Sequence, residues 1–228
     1  MFGADKIAVE SIAVVSAPTA PTYVRIAGAS GMTVALDIGS ADTNRLVIAI
    51  FDDEGENVNL SAATCDGDSM TFLARANNTN GVGNHLEMWY ILESTLGASN
   101  GSVNIVGTGG DAGWCAIGVL ITGAKQATAY DSEIEEAVND TAPVPIENVS
   151  CTKNGIVIYS AASGSGGTWA SYTSPLSEKL DTGSYSSSAS ICVAVAVETS
   201  AQTNKTYSAT CSSSTLRKSG ICATWEGL

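Results

Sequence analysis

Histidine occurs once in this chain, at His85, so any Ser-His-acid chemistry would have to run through that imidazole. Such a site needs a serine on one side of the ring and an orienting carboxylate on the other. Serines are abundant, but no G-x-S-x-G nucleophile elbow occurs. His85 opens the apolar run HLEMWYILE, where a structural role is the simpler one. The expectation is a protein that is not an enzyme.

Carboxylates are the next candidates. Asp52, Asp53, Glu54 and Glu56, with Asp66 and Asp68 further on, would meet at one end of a β-structure. Calcium takes six to eight oxygens, so Asp52, Asp53, Asp66 and Asp68 are its weak candidates. The D-x-[DN]-x-[DN]-G spacing of an EF-hand is missing, and a solvated turn explains the cluster more simply. Six cysteines are present without a C-x-x-C pair, which disfavours a zinc knuckle and suggests free thiols. Cys211 and Cys222 flank a candidate hairpin and are the pair to test for a bridge. No metal and no cofactor is expected.

Aromatic side chains offer stacking chemistry. Trp89, Trp114 and Trp225 lie inside apolar runs and should pack in a core. Trp169 and Tyr172 stand in the Gly- and Ser-rich stretch GSGGTWASYTSP, which makes them the candidates for a ligand or partner contact. A loop anchored onto its own core would explain them as well. GSGG at Gly164–Gly167 lacks the Lys-Ser/Thr of a phosphate-binding loop.

The elements that must position these residues read as strands. NRLVIAIF, from Asn44 to Phe51, is apolar at consecutive positions and closes on an acidic turn, the signature of a strand buried on both faces. Met32, Val34, Leu36 and Ile38 alternate onto one face. Asp66-Gly67 between two strand-like runs signals a hairpin. GWCAIGVLITG is a further buried-looking strand. Residues 124–146 are the most acidic stretch and read as a connection, with Ser132 and Glu135 spaced for a short capped helix or else a loop.

The second half echoes the first. NGIVIYS answers NRLVIAI, SASICVAVAVE answers HLEMWYILE, KTYSATC answers SVNIV, and GICATWEG answers GWCAIGVL with Cys222-Ala223 falling on Cys115-Ala116. The pattern implies an all-β, jelly-roll-like β-sandwich built from two related strand sets closing over one core, with an immunoglobulin-like sandwich as the alternative. The domain plan is an extended arm over residues 1–22 and one sandwich over 23–228, with a pseudo-repeat of 32–123 and 147–228. The arm's Pro18 and Pro21 favour an extended path, so Ile7, Val9, Ile12, Val14, Val15 and Tyr23 are expected to lie against a neighbour.

Charge narrows the partners. Ten basic against 23 acidic side chains give a formal charge of −13, a surface that repels nucleic acid and anionic membranes. No stretch is long and apolar enough for a membrane-spanning helix. Asp5, Glu10 and Ser11 break the pattern of a secretory signal, so synthesis in a cytosol is the expectation.

Taken in order, NRLVIAIFDD, HLEMWYILES, SVNIVGTG, CAIGVLITGAKQATAYDS, NGIVIYSAAS and ICATWEGL resemble a domain of virion proteins of tailed bacteriophages. In that group an N-L-V-V strand precedes a W-Y-L strand and a later Gly-plus-Q-T-T-P-x-D turn. Here the turn is Gly123–Asp131, with Ala129-Tyr130 in place of Thr-Pro. The resemblance covers most of residues 32–228 and carries no active-site residues. It implies an accessory virion component, a capsid decoration or fibre-type protein, localised to the particle. The implied partners are capsid or tail subunits and further copies of this chain, plausibly as a trimer. A glycan- or host-surface-binding module is the alternative.

Overall fold

The computed structural model describes residues 19–40, 44–53, 58–78, 84–96, 99–109, 114–138, 143–182, 189–213 and 217–228. The first half contains β1 (Thr22–Ser30), β2 (Thr33–Asp37), β3 (Arg45–Asp53), β4 (Ala62–Cys65), β5 (Asp68–Ser69), β6 (Thr71–Asn78) and β7 (Asn84–Leu92). A helical turn α1 (Glu93–Leu96), β8 (Ser102–Thr108) and β9 (Trp114–Thr122) complete it. The second half contains β10 (Asp131–Val138), β11 (Val144–Cys151), β12 (Ile156–Ser163), β13 (Trp169–Ala170), β14 (Ser177–Thr182), β15 (Ser190–Val197), β16 (Gln202–Cys211) and β17 (Lys218–Trp225). The fold is all-β and antiparallel, as the alternation required.

Each half is a two-sheet sandwich. In the first, an inner sheet β1-β9-β3-β7-β6 faces an outer sheet β2-β8-β4-β5. In the second, an inner sheet β10-β17-β12-β15-β14 faces an outer sheet β11-β16-β13. Apart from the small β5 finger, the two descriptions become the same when β10 replaces β1 and so on to β17 for β9. The chain crosses between the sheets of a half from β1 through β4 and again from β7 through β9, while β4–β5 and β6–β7 are neighbours within one sheet, a jelly-roll-like winding.

The two inner sheets pack face to face. β6 lies along β10 and β7 over β17. At the opposite edge Lys179 Nζ sits 5.0 Å from the centre of the Tyr23 ring. The strand correspondence and this stacking define an approximate two-fold axis that runs between the inner sheets and exchanges β3 with β12.

Three hydrophobic cores result. Between the inner sheets lie Leu46, Ile48 and Ile50 of β3, Ile156 and Ile158 of β12, and Trp225. Val47, Ala49 and Phe51 turn to the outer sheet of their own half, against Leu36 and Ile105. Val157 and Tyr159 do the same in the second half, against Ile146 and Tyr207. The expectation of one core shared by both strand sets is therefore corrected. β3 is apolar from Leu46 to Phe51, and β12 carries a ring or aliphatic side chain at every position from Ile156 to Tyr159, because each has one core on either face.

Three other expectations change. Residues 131–138 form edge strand β10, neither helix nor loop, because the edge of β17 offers a row of backbone partners from Lys218 to Thr224. The repeat accordingly begins at β1 and β10, and the linker shortens to residues 123–130. The register of the repeat also shifts by three. Leu46 pairs with Ile121 and Ile156 with Trp225, so Cys222 occupies the place of Gly118, and Ser219 that of Cys115. The Asp66-Gly67 hairpin forms as expected, with φ of 53° and 93° at its two central residues, the geometry of a type I′ turn.

Candidate functional site

His85 is fully buried at the start of β7 and serves a carboxylate. Its Nε2 lies 2.8 Å from Oε1 of Glu87, two residues along the same strand face. Glu87 collects donors from three directions. The Leu60 backbone N–H reaches Oε1 at 3.0 Å, and Arg75 donates to the same oxygen from Nε and Nη2 at 3.1 and 3.0 Å. Trp89 donates Nε1–H to Oε2 at 2.8 Å. Burial works to raise the carboxyl pKa. The hydrogen bonds from His85, Leu60 and Trp89, together with the Arg75 charge, outweigh it and leave the pKa lowered. The far ring nitrogen of His85 meets no hydrogen-bond partner among the described residues, and its ring stands edge-on to Trp114 at 5.4 Å. Geometrically this is a clasp tying β6, β7 and the segment before β4 together.

The second half carries its own carboxylate clasp. Glu198, 3 % exposed, accepts from Lys205 Nζ and Tyr207 O–H at 2.6 Å each, and from Gln202 at 3.1 Å. At the equivalent place in the first half, Arg45 grips Glu93 through two bonds of 2.6 and 2.9 Å. Gln126 then accepts the Glu93 N–H at 2.8 Å and donates to the Arg45 carbonyl at 3.3 Å. The Asp131 carboxylate accepts the Ser150 N–H at 2.6 Å. Gln126 and Asp131, the polar positions of the Gly123–Asp131 turn, thus anchor the linker between halves.

The carboxylates considered for calcium are dispersed in role. Asp52 and Asp53 are fully buried at the end of β3, and Asp52 Oδ1 accepts from Asn84 at 2.9 Å. Ser219 of the second half donates its hydroxyl to the Asn84 carbonyl oxygen, and Asn78 donates to the Lys218 carbonyl at 3.0 Å. These bonds stitch the two halves at one end. Asp66 and Asp68 sit at the β4–β5 turn. Among the described residues no group of three or more His, Cys, Asp or Glu side chains is arranged to hold a metal ion. Glu54 and Glu56 lie outside the described residues.

The aromatic pair of the Gly/Ser stretch is turned inward. Trp169 is 3 % exposed, pairs with Cys211 as part of β13, and packs into the core of the second half. Tyr172 is partly buried against the same core. Trp169 presents no free ring face for stacking, whereas Tyr172 keeps partial exposure. Of the arm residues, Ile7, Val9, Ile12, Val14 and Val15 lie outside the described residues. Tyr23 belongs to β1, where it packs against the central core under Lys179, an intramolecular contact between halves.

All six cysteines are buried and free, Cys211 and Cys222 included, so that pair forms no bridge. Burial pushes the Cys65 and Cys151 thiols up to about 12, which keeps them protonated and unreactive at neutral pH.

One surface feature gathers ligand-type groups. Along the seam where β6 meets the linker and β10 runs a groove of about 430 Å³. Its rings are Phe72, 42 % exposed, and Tyr130, 52 % exposed. Leu73, Ala129 and the nearly buried Tyr90 supply its apolar floor. Thr71, Thr128, Asp131 and Ser132 supply its polar groups. A bulge between Phe72 and Ala74 places Leu73 out of register at the rim of the groove. Tyr130 is held by its N–H donating to the Thr224 carbonyl at 2.8 Å. The sequence contained one signal for this site, a tyrosine isolated in the polar stretch KQATAYDSE.

No protein-family model, no curated protein and no solved structure matches the chain.

Proposed function

We propose that this chain is a non-enzymatic accessory component of a phage-type particle, acting by adhesion to neighbouring shell or tail subunits. The observation that supports the reading best is the twinned jelly roll itself. Two sandwiches are clamped through their inner sheets, and the buried charged groups Arg45, Glu87 and Glu198 are each engaged in holding strands together. Such a body is rigid, and its outer sheets face away from one another as two surfaces for contact. The strongly acidic surface suits a position away from packaged nucleic acid. The arm over residues 1–22 is the proposed anchor, and a homo-oligomer, plausibly a trimer, the proposed state.

The test is a particle-binding assay with the full chain and a variant lacking residues 1–18, which leaves β1 intact. Loss of co-sedimentation with particles in the shortened variant, with the folded body unchanged by circular dichroism, supports the anchor. Undiminished co-sedimentation rejects it.

A further inference from the structure

The groove at the seam has a composition that selects among ligands. Its liners include no lysine, arginine or histidine, so it lacks the donors that recognise phosphate or sulfate. Its apolar floor is small, and the groove is open to solvent along its length, which suits no purely apolar molecule. What it does combine is an exposed aromatic ring and three hydroxyl side chains. A sugar ring has the complementary chemistry, with C–H faces that lie on an aromatic ring and hydroxyls that exchange hydrogen bonds with threonine and serine. The volume falls within the range of small-ligand sites.

We propose that this groove binds a neutral saccharide, with Tyr130 as the stacking platform and Thr71, Thr128 and Ser132 as hydrogen-bonding partners. Phe72 closes the far side. Its ring is held in place, edge-on to Trp89 at 5.1 Å and with the Arg75 guanidinium 5.1 Å from its centre. The Asp131 carboxylate is turned toward β11, where it accepts the Ser150 N–H, so the three hydroxyl side chains carry the hydrogen bonding in the groove. A ring already held in place lowers the ordering cost of binding.

The pseudo-two-fold axis supplies a comparison within the same molecule. The corresponding seam joins β1 to β14, where the aromatic ring is Tyr23 and the bulged strand carries Lys179. There the lysine covers the tyrosine ring at 5.0 Å. At the first seam Leu73 follows Phe72 in the bulge, and Tyr130 stays 52 % exposed. Of the two equivalent seams, the first leaves a ring uncovered.

The proposal does not depend on a place in a particle. It is tested with the full chain by saturation-transfer NMR against a fixed panel: trisaccharides of glucose, galactose, mannose, rhamnose and N-acetylglucosamine. The expected result is saturable binding of at least one panel member, weakened between about twofold and tenfold in Tyr130→Ala, the range of a single aromatic contact. Binding should be unchanged in Ile134→Ala, a 42 % exposed position on β10 outside the groove. Both side chains are exposed, so unchanged thermal melts are expected and serve as the folding control. No saturable binding by any panel member overturns the proposal, as does equal binding by the wild type and Tyr130→Ala.

Discussion

Replacing Glu87 by glutamine removes a charge from the best-connected buried group of the first half while keeping its shape. The wild-type carboxylate is fully buried and receives His85, Leu60 and Arg75 on one oxygen and Trp89 on the other. An amide offers one acceptor oxygen. Its NH₂ must then face either the Trp89 N–H or the Arg75 fork, leaving a donor opposed to a donor. A buried unsatisfied donor costs about 1–3 kcal/mol. Breaking a buried pair by removing one partner's charge brings the total to about 3–5 kcal/mol. For a chain of this length each kcal/mol lowers the melting temperature by about 2–4 °C, so a drop of about 6–20 °C is expected at pH 7. The assay is thermal or urea unfolding followed by the fluorescence of Trp89 and Trp114, which flank the site. The pH dependence adds a second reading. The folded pKa of Glu87 is lowered, so its stabilisation is complete above the ordinary glutamate value of 4.5 and fades as pH falls through the folded value. The gap between wild type and Glu87→Gln should therefore narrow below pH 4.5. A loss under about 1 kcal/mol at pH 7, or a gap that widens in acid, would refute the reasoning.

Ile158→Ala opens a cavity between the inner sheets and should cost about 2–5 kcal/mol, with one transition reporting both halves; two separated transitions in the wild type would show that the halves do not share a core. Tyr159→Phe leaves the Ala209 N–H and the Val144 carbonyl without the hydroxyl that bridges them at 3.1 and 2.9 Å, an expected cost of about 1–3 kcal/mol by urea denaturation. The six thiols should react with a disulfide reagent only after unfolding, and the intact mass should show no bridge; rapid reaction of the native protein would contradict their burial.

The strands were legible because alternation is a local property. Val34, Leu36 and Ile38 could be assigned to one face, and NRLVIAIF to a strand covered on both, from spacing alone. What covers each face is a long-range matter, so the four-layer arrangement was hidden behind a correct strand pattern. β10 was missed because Ser132 and Glu135 mimic a helix cap, whereas the free edge of β17 decides the outcome. The repeat is visible in the sequence, but its matching Cys-Ala pairs suggest a register three residues away from the one that pairing to β3 and β12 fixes. Trp169 looked exposed from its Gly/Ser surroundings, yet those small residues let the segment fold onto β16. The groove brings Phe72 of one half to Tyr130 of the linker, a proximity created only when the inner sheets stack.

The most direct test of the proposed role is quantitative mass spectrometry of particles purified through a density gradient from cells that make this chain. The account predicts its peptides in the particle band, at a fixed copy number relative to the principal shell subunit. Complete particles that carry none of it, with the chain left in the soluble fraction, would contradict the account.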